Sequence, residues 1–297
     1  PAWTPVPHPR FARNPDMFKV IDRGDVLVHH PYQSFDHVVR FIEAAAQDPD
    51  VLAIKMTLYR MTKESRIAQA LVAAAQQGKS VAALVELRAR FNEESNIAWA
   101  KRLESAGAHV VYGMTGLKTH AKAALVVRRT KGAIRRYCHL GTGNYNENNA
   151  STYTDFSLFT SRSEVGEDLT WMFNLLTGYA RPPAFAELLV APMHFRDAMV
   201  ERLRREVSHA KAGRASGVVL KLNSLVDPTL IEELYRTAKS GVHIDIIVRG
   251  ICCLRPGVPG LSENIRAVRI VDRFLEHARL FRFQNGDDPE YLLSSAD

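Results

Sequence analysis

The chain has 297 residues, 46% hydrophobic and 24% charged, with 39 Lys+Arg against 32 Asp+Glu and a formal net charge of +7. This is the balance of a globular protein with a substantial core, and the length suits two domains. No apolar run approaches the roughly 18 residues of a membrane-crossing helix, and the basic residues are too dispersed for a nucleic-acid-binding arm, so an anionic partner held in a cleft stays open.

Residues 1–24, with "PAWTPVPHPRFARNPDMF", are Pro-rich, have no apolar signal core and read as a linker from a preceding domain. The chain is expected to be part of a longer protein. "VLAIKMTLYR" (Val51 to Arg60) reads as a strand ending in polar and basic residues. "SRIAQALVAAAQQGK" has the three-and-four apolar spacing of a helix, closed by Gly78 in the left-handed cap position. "SVAALVEL" is a second strand and leads to Glu86. In "FNEESNIAWAKRLESAGAHVVYG", Asn92 is expected to cap a helix with Glu93 and Glu94 in its first turn. "LKTHAKAALVV" reads as a strand opened by His120. "GTGN" (Gly141 to Asn144) reads as a small-residue turn, and "TYTDFSLF" as a strand with Tyr153 and Asp155 on one face. Residues from about 164 to 214 read as helices.

The same order then returns. "VVLKLNSLVD" (Val218 to Asp227) is followed by the helical "PTLIEELYRTAKSGV" with Gly241, then "VHIDIIVRG" leading to Arg249, "LEHARLFRF" with His277, and "SSAD" (Ser294 to Asp297). Glu86 and Arg249 each lie eight residues past their glycine. The repeat predicts an α/β fold of two units with mixed sheets, either tandem or paired about a pseudo-twofold.

Each copy carries a histidine followed two residues later by a base, His120 with Lys122 and His277 with Arg279. On a strand such residues share a face. An ammonium beside a neutral imidazole lowers the imidazole pKa and binds phosphoryl oxygens, which suits a phosphorus nucleophile. A lone histidine of this kind is more often a strand-end residue bonded to a backbone carbonyl; the repetition favours chemistry, with one histidine attacking and the other handling a proton or the leaving group. Arg60, Arg90 and Arg249 follow strands, where arginine forks match phosphate oxygens. "GTGN", with Asn144, can ring phosphate oxygens with donors. No phosphate-loop or protein-kinase signature is present. Cys138, Cys252 and Cys253 lack metal-ligand spacing and read as reduced core thiols.

The motifs "VLAIKMTLYR", "VELRARFNEESNI", "GLKTHAKAALV", "HLGTGNYNE", "YTDFSL", "LKLNSLVD", "VRGICCL", "VDRFLEH" and "LSSAD" resemble the type-1 polyphosphate kinases over Asp25 to Asp297. The resemblance implies two tandem phospholipase D-like α/β domains, 25–190 and 191–297, pseudo-twofold related, the second incomplete at its C-terminus. It implies reversible transfer of the terminal phosphate of ATP to inorganic polyphosphate through a phosphohistidine on His120. Lys122 would join His120 in catalysis, and His277 would assist at the nucleotide or leaving-group oxygen. Tyr153, Arg249 and His277 match ATP contacts, and Asn144 matches a phosphate contact. Arg60 and Arg90 match a magnesium site, reached through phosphate oxygens because arginine has no lone pair for a cation.

The implied ligands are Mg2+, ATP/ADP and polyphosphate, with no nucleic acid. The whole protein would be a cytoplasmic homo-oligomer, compatible with peripheral membrane association through partners. Without the family's other domains the chain is expected to be impaired. The chain departs from the superfamily's paired HxKxxxxD pattern: Val127 and Arg128, not an aspartate, stand five and six residues past Lys122, and Arg279 replaces the second lysine. The rival readings are a phosphodiesterase or phosphatidyltransferase of the same fold and a non-catalytic polyanion-binding module.

Overall fold

The computed structural model describes residues 3–86, 93–113, 116–178 and 184–297. The chain packs as two units, Pro1–Leu188 and Leu189–Asp297.

The first unit runs α1 (Pro9–Arg13), α2 (Met17–Asp22), β1 (Val26–His30), α3 (Asp36–Gln47), β2 (Val51–Leu58), α4 (Arg66–Gln76), β3 (Ser80–Val85), α5 (Glu93–Ser105), β4 (His109–Val111), β5 (Lys122–Thr130), β6 (Ala133–Gly141), α6 (Glu147–Ala150), β7 (Tyr153–Thr160) and α7 (Ser163–Leu176). Its strands lie in the order β1-β7-β6-β5-β2-β3-β4. Strands β2, β3 and β4 are parallel and the other pairings antiparallel, so the sheet is mixed as expected. Alternation sorts the side chains of β5: Ala124 and Val126 join the main core with Ile42, Ile54 and Leu71, while Ala123 and Leu125 face Val165, Leu169 and Phe173 of α7. The sheet is therefore covered on both faces. Arg128, at the far end of β5 from Lys122, pairs with Asp48 at 2.9 Å and braces the sheet.

Residues 3–24 are more than a linker. Phe11, Met17, Phe18, Val20 and Ile21 are buried in the main core, and Phe11 meets Phe159 edge-on at 5.2 Å. Arg10 donates to the carbonyls of Val20, Gly24 and Asp25, which secures the end of α2. Prolines set the loops here, but the apolar residues between them have helical spacing and a surface to cover.

The second unit runs α8 (Phe195–Lys211), β8 (Val218–Leu222), α9 (Pro228–Lys239), β9 (Ile244–Val248), β10 (Ile265–Val268), β11 (Leu275–Glu276), β12 (Arg279–Phe283) and β13 (Glu290–Ser294). Its sheet has the order β10-β9-β8-β12-β13. Phe195, Met199 and Leu203, one face of α8, pack with Leu220, Ile246, Phe281 and Phe283. The neighbours β4-β3-β2-β5-β6 of the first unit match β10-β9-β8-β12-β13 of the second, in the same chain order and with the same parallel and antiparallel pairs. The repeated helices are capped alike: Ser65 and Asp227 each accept an N–H from the third residue on. Gly78 (φ 82°) and Gly241 (φ 89°) follow their C-termini. Among the described residues no helix is long and apolar enough to cross a membrane.

Candidate active site

In the first unit the carboxyl ends of β2 and β3 lie on one edge of the sheet. Strand β5 starts on that edge, β6 ends there and β7 starts there, with Lys122 opposite Gly141 and Gly141 opposite Ser157. Strand ends of this kind form ligand crevices in open α/β sheets. The topology thus gathers Tyr59, Arg60, Glu86, His120, Lys122, Asn144 and Tyr153, which are scattered along the sequence.

His120 and Lys122 do not share a strand. β5 begins at Lys122, so His120 stands two residues outside it and the alternation rule does not reach back to it. The buried Lys122 ammonium donates to the His120 carbonyl. The segment is held on both sides of the histidine. The Thr119 N–H donates to Glu86 Oε2 at 2.9 Å, and Thr57 Oγ1 donates to the Ala121 carbonyl at 2.8 Å. The Ala123 N–H donates to the Thr57 hydroxyl at 3.1 Å.

The centre of the site is Tyr59. Its ring meets the His120 imidazole edge-on at 5.3 Å. Lys122 lies 5.2 Å from the ring centroid, Lys118 5.5 Å and Arg60 5.5 Å. One aromatic surface thus supports three cations. Among the described residues no carboxylate pairs with Arg60 or Lys118, which leaves their charge available to an anion. Arg60 adopts φ 99°, a strained backbone for an arginine, and its carbonyl is held by Asn146 Nδ2 at 2.8 Å. Its Nε is buried without a partner.

"GTGN" joins the antiparallel neighbours β6 and β7. It leads through Asn146, which caps α6, before β7 begins. Thr142 Oγ1 donates to Asp155 Oδ1 at 2.6 Å, which ties the end of β6 to the start of β7. Asn144 is buried and its Oδ1 has no protein partner. Tyr153, half-buried, opens β7 on the same edge. Behind them His30 Nε2 meets Ser157 Oγ at 2.9 Å and His139 Nδ1 meets Tyr145 OH at 2.7 Å. Burial pushes the His30 and His139 imidazoles down to about 4 and about 3.

In the second unit His277 likewise stands two residues before its strand, β12, where Arg279 takes the place of Lys122. Arg279 Nη1 reaches the His277 carbonyl at 3.1 Å and lies 3.4 Å from its Nε2. Asp297 Oδ1 accepts from Arg279 Nε at 3.2 Å and from the Asn223 N–H at 2.7 Å. Arg249 Nε donates to Asn223 Oδ1 at 3.0 Å. His277 and Arg249 therefore belong to one polar chain, Arg249–Asn223–Asp297–Arg279–His277. An apolar cavity of about 180 Å³ against α8 and α9 includes neither His277 nor Arg249.

Arg90 and Asn92 lie outside the described residues. Of the cysteines Cys138 is buried, with its thiol pushed up to about 12 by burial, while Cys252 is half-buried and Cys253 exposed; only the first is a core thiol. Tyr59, Lys118, Thr57 and Asn146 are site residues that the sequence does not mark by motif. Thr57 and Tyr59 sit in or beside an apolar strand, and nothing in their spacing marks them; Lys118 is basic and two residues from His120, the one local signal among the four. Among the described residues no group of three or more His, Cys, Asp and Glu could hold a metal ion. Arg60, a cation itself, fits a phosphate oxygen and not a metal ion.

Residues 16–182 match the family described as polyphosphate kinase C-terminal domain 1, and residues 188–297 match polyphosphate kinase C-terminal domain 2. A polyphosphate kinase of Thermosynechococcus vestitus is 54% identical over 283 residues, covering 95% of this chain and 39% of the relative. One of Synechocystis sp. is 56% identical over 283 residues, with the same 95% and 39% coverage. The crystal structure of polyphosphate kinase from Porphyromonas gingivalis matches with a TM-score of 0.92 and 42% identity, covering all of this chain and 49% of that one. Phosphatidylserine synthase from Haemophilus influenzae, at 10% identity and a TM-score of 0.51 over 76% of this chain and 62% of its own, shares the fold alone. The chain spans about two fifths of the length of the curated relatives it matches.

Proposed function

The chain belongs to the polyphosphate kinase family, and from that premise we propose that it carries the phosphoryl-transfer site of an ATP:polyphosphate phosphotransferase, with His120 as the group that becomes phosphorylated. The observation that carries this reading is the surround of His120: a histidine outside the sheet ladder, clamped through its backbone, beside a tyrosine ringed by Arg60, Lys118 and Lys122. An imidazole nitrogen lone pair forms the N–P bond as the bond from the γ-phosphorus to the bridging oxygen breaks, and the electron pair leaves on ADP. A terminal oxygen of polyphosphate then takes the phosphoryl group and restores the imidazole. The cations stabilise charge on the transferring oxygens without themselves reacting.

In this reading Arg60 and Asn144 bind phosphate oxygens, joined by Arg90, and His277, Arg249 and Tyr153 serve the nucleotide. Magnesium enters as part of the MgATP substrate, held by its phosphates. An oligomeric full-length enzyme and a cytoplasmic location belong to the same proposal.

The test is direct. Full-length protein incubated with γ-labelled ATP and magnesium is expected to acquire acid-labile, base-stable label, and His120→Ala to lose it. Label persisting in His120→Ala would remove the nucleophile from this position. His277→Ala is expected to retain the site of labelling and slow its formation.

A further inference from the structure

We propose that Glu86 and Thr57 are positioning residues that clamp the peptide groups flanking His120 and so aim its imidazole. This rests on the reading of His120 as the phosphoryl acceptor. His120 lies outside β5, so no sheet ladder holds it. The restraint comes from two buried polar side chains instead. Glu86 accepts the Thr119 N–H on one side, at 2.9 Å, and Thr57 donates to the Ala121 carbonyl on the other, at 2.8 Å. Thr57 also accepts the Ala123 N–H, which joins the clamp to the first rungs of β5.

Both side chains are fixed in turn. Thr57 belongs to β2 and is 2% exposed; Glu86 is 4% exposed. The Glu86 N–H donates to the Leu58 carbonyl at 3.0 Å, and its own carbonyl accepts from Asn96 Nδ2 at 2.8 Å. A buried carboxylate is costly unless its oxygens are hydrogen-bonded. One at an anion-binding edge would also repel the substrate unless turned away from it, and here an oxygen is directed onto the backbone beside the histidine.

The repeat makes the assignment sharper. Arg249 occupies the place of Glu86 in the second unit, its N–H donating to the Leu222 carbonyl at 3.1 Å as Glu86 donates to Leu58. There the side chain is a cation directed at Asn223. The same ladder position therefore carries an acid facing the histidine segment in one copy and a base in the other.

In the full-length protein, single-turnover labelling of His120 from γ-labelled ATP is expected to slow on the order of 10- to 100-fold in Thr57→Val and Glu86→Ala, the scale of a reacting group misplaced by about an ångström. ATP affinity is expected to stay the same. Thr57→Ser and Glu86→Gln keep an oxygen in place and are expected to restore the rate to within about 3-fold, because the hydrogen bond and not the charge does the positioning. If Glu86→Ala fails to fold, as judged by circular dichroism, the near-isosteric Thr57→Val and its serine rescue carry the test. Wild-type labelling rates in Thr57→Val, or a Glu86→Gln as slow as Glu86→Ala, overturn the clamp while leaving the nucleophile reading intact. Absence of label on His120 in the unmodified protein overturns that reading and the clamp with it.

Discussion

At Gly143 there is no room for a methyl group. A Cβ built there would lie 2.3 Å from Asp155 Oδ2 and 2.8 Å from Asp155 Cβ. Asp155 cannot step aside freely, because it accepts the Thr142 hydroxyl and sits in β7 opposite His30. Gly143→Ala is therefore expected to destabilise the first unit by about 1–3 kcal/mol, the usual penalty of overpacking. Because the displaced residues border Asn144, His120 labelling should fall as well. A melting transition followed by circular dichroism, alongside the labelling assay, checks both; an unchanged melt would mean that Asp155 relaxes at no penalty. Sequence alone marked "GTGN" by its small residues, but not which glycine is sterically required. That depends on a carboxylate 12 residues further along the chain. Charge at strand ends likewise marked Arg60 and Arg249, while Tyr59, the ring around which the cations gather, looks on its own like one more core aromatic.

At the scale of elements, Asp168 shows how a helix organises the chain beyond it. It is buried in α7 and accepts the N–H groups of Ala186, Glu187 and Leu188 at 3.0, 2.7 and 2.8 Å. Three donors on one carboxylate make an anchor, since hydrogen bonds to charged groups contribute about 1.5–3 kcal/mol each before the cost of burying the charge. Asp168→Ala is expected to lose about 3 kcal/mol, read as a lower urea midpoint, and to speed proteolysis near residue 188; an unchanged midpoint would show that solvent replaces the carboxylate. The repeated helices were legible because apolar spacing, caps and closing glycines are local signals. The short helices α1 and α2 were not, because five or six residues give too little periodicity to outweigh the prolines around them. Both strands begin two residues after their histidines, at Lys122 and Arg279, because hydrophobic patterning does not mark the residue at which ladder pairing starts.

At the scale of the molecule, the acid limit of stability follows from the buried histidines of the first unit. Burial holds His30 and His139 at about 4 and about 3, against an ordinary value of 6.5. Below pH 6.5 the unfolded chain takes up protons that the native state refuses. Their contribution is thus fully present above pH 6.5 and is lost as pH falls from there toward 4 and 3. For His30 alone the loss by pH 5 is about 2 kcal/mol. Urea unfolding measured between pH 7.5 and 5 should show this decline, and His30→Gln should flatten it; an equal slope in that variant would place the proton uptake elsewhere. These histidines, buried and kept neutral, and the candidate catalytic histidines are the same residue type in sequence. The repeat, the mixed α/β class, the helix caps and the basic residues ending the strands could be determined from the sequence by itself, because each depends on neighbours within a few residues. Only the tertiary structure decided that Tyr59 collects Lys118, Lys122 and Arg60, and that Thr57 and Glu86 grip the chain on either side of His120. Apart from Arg60, the chain neighbour of Tyr59, those contacts join residues 33 to 64 positions apart, and their pairing is set by the registers of β5 and β3 against β2, which no local pattern encodes.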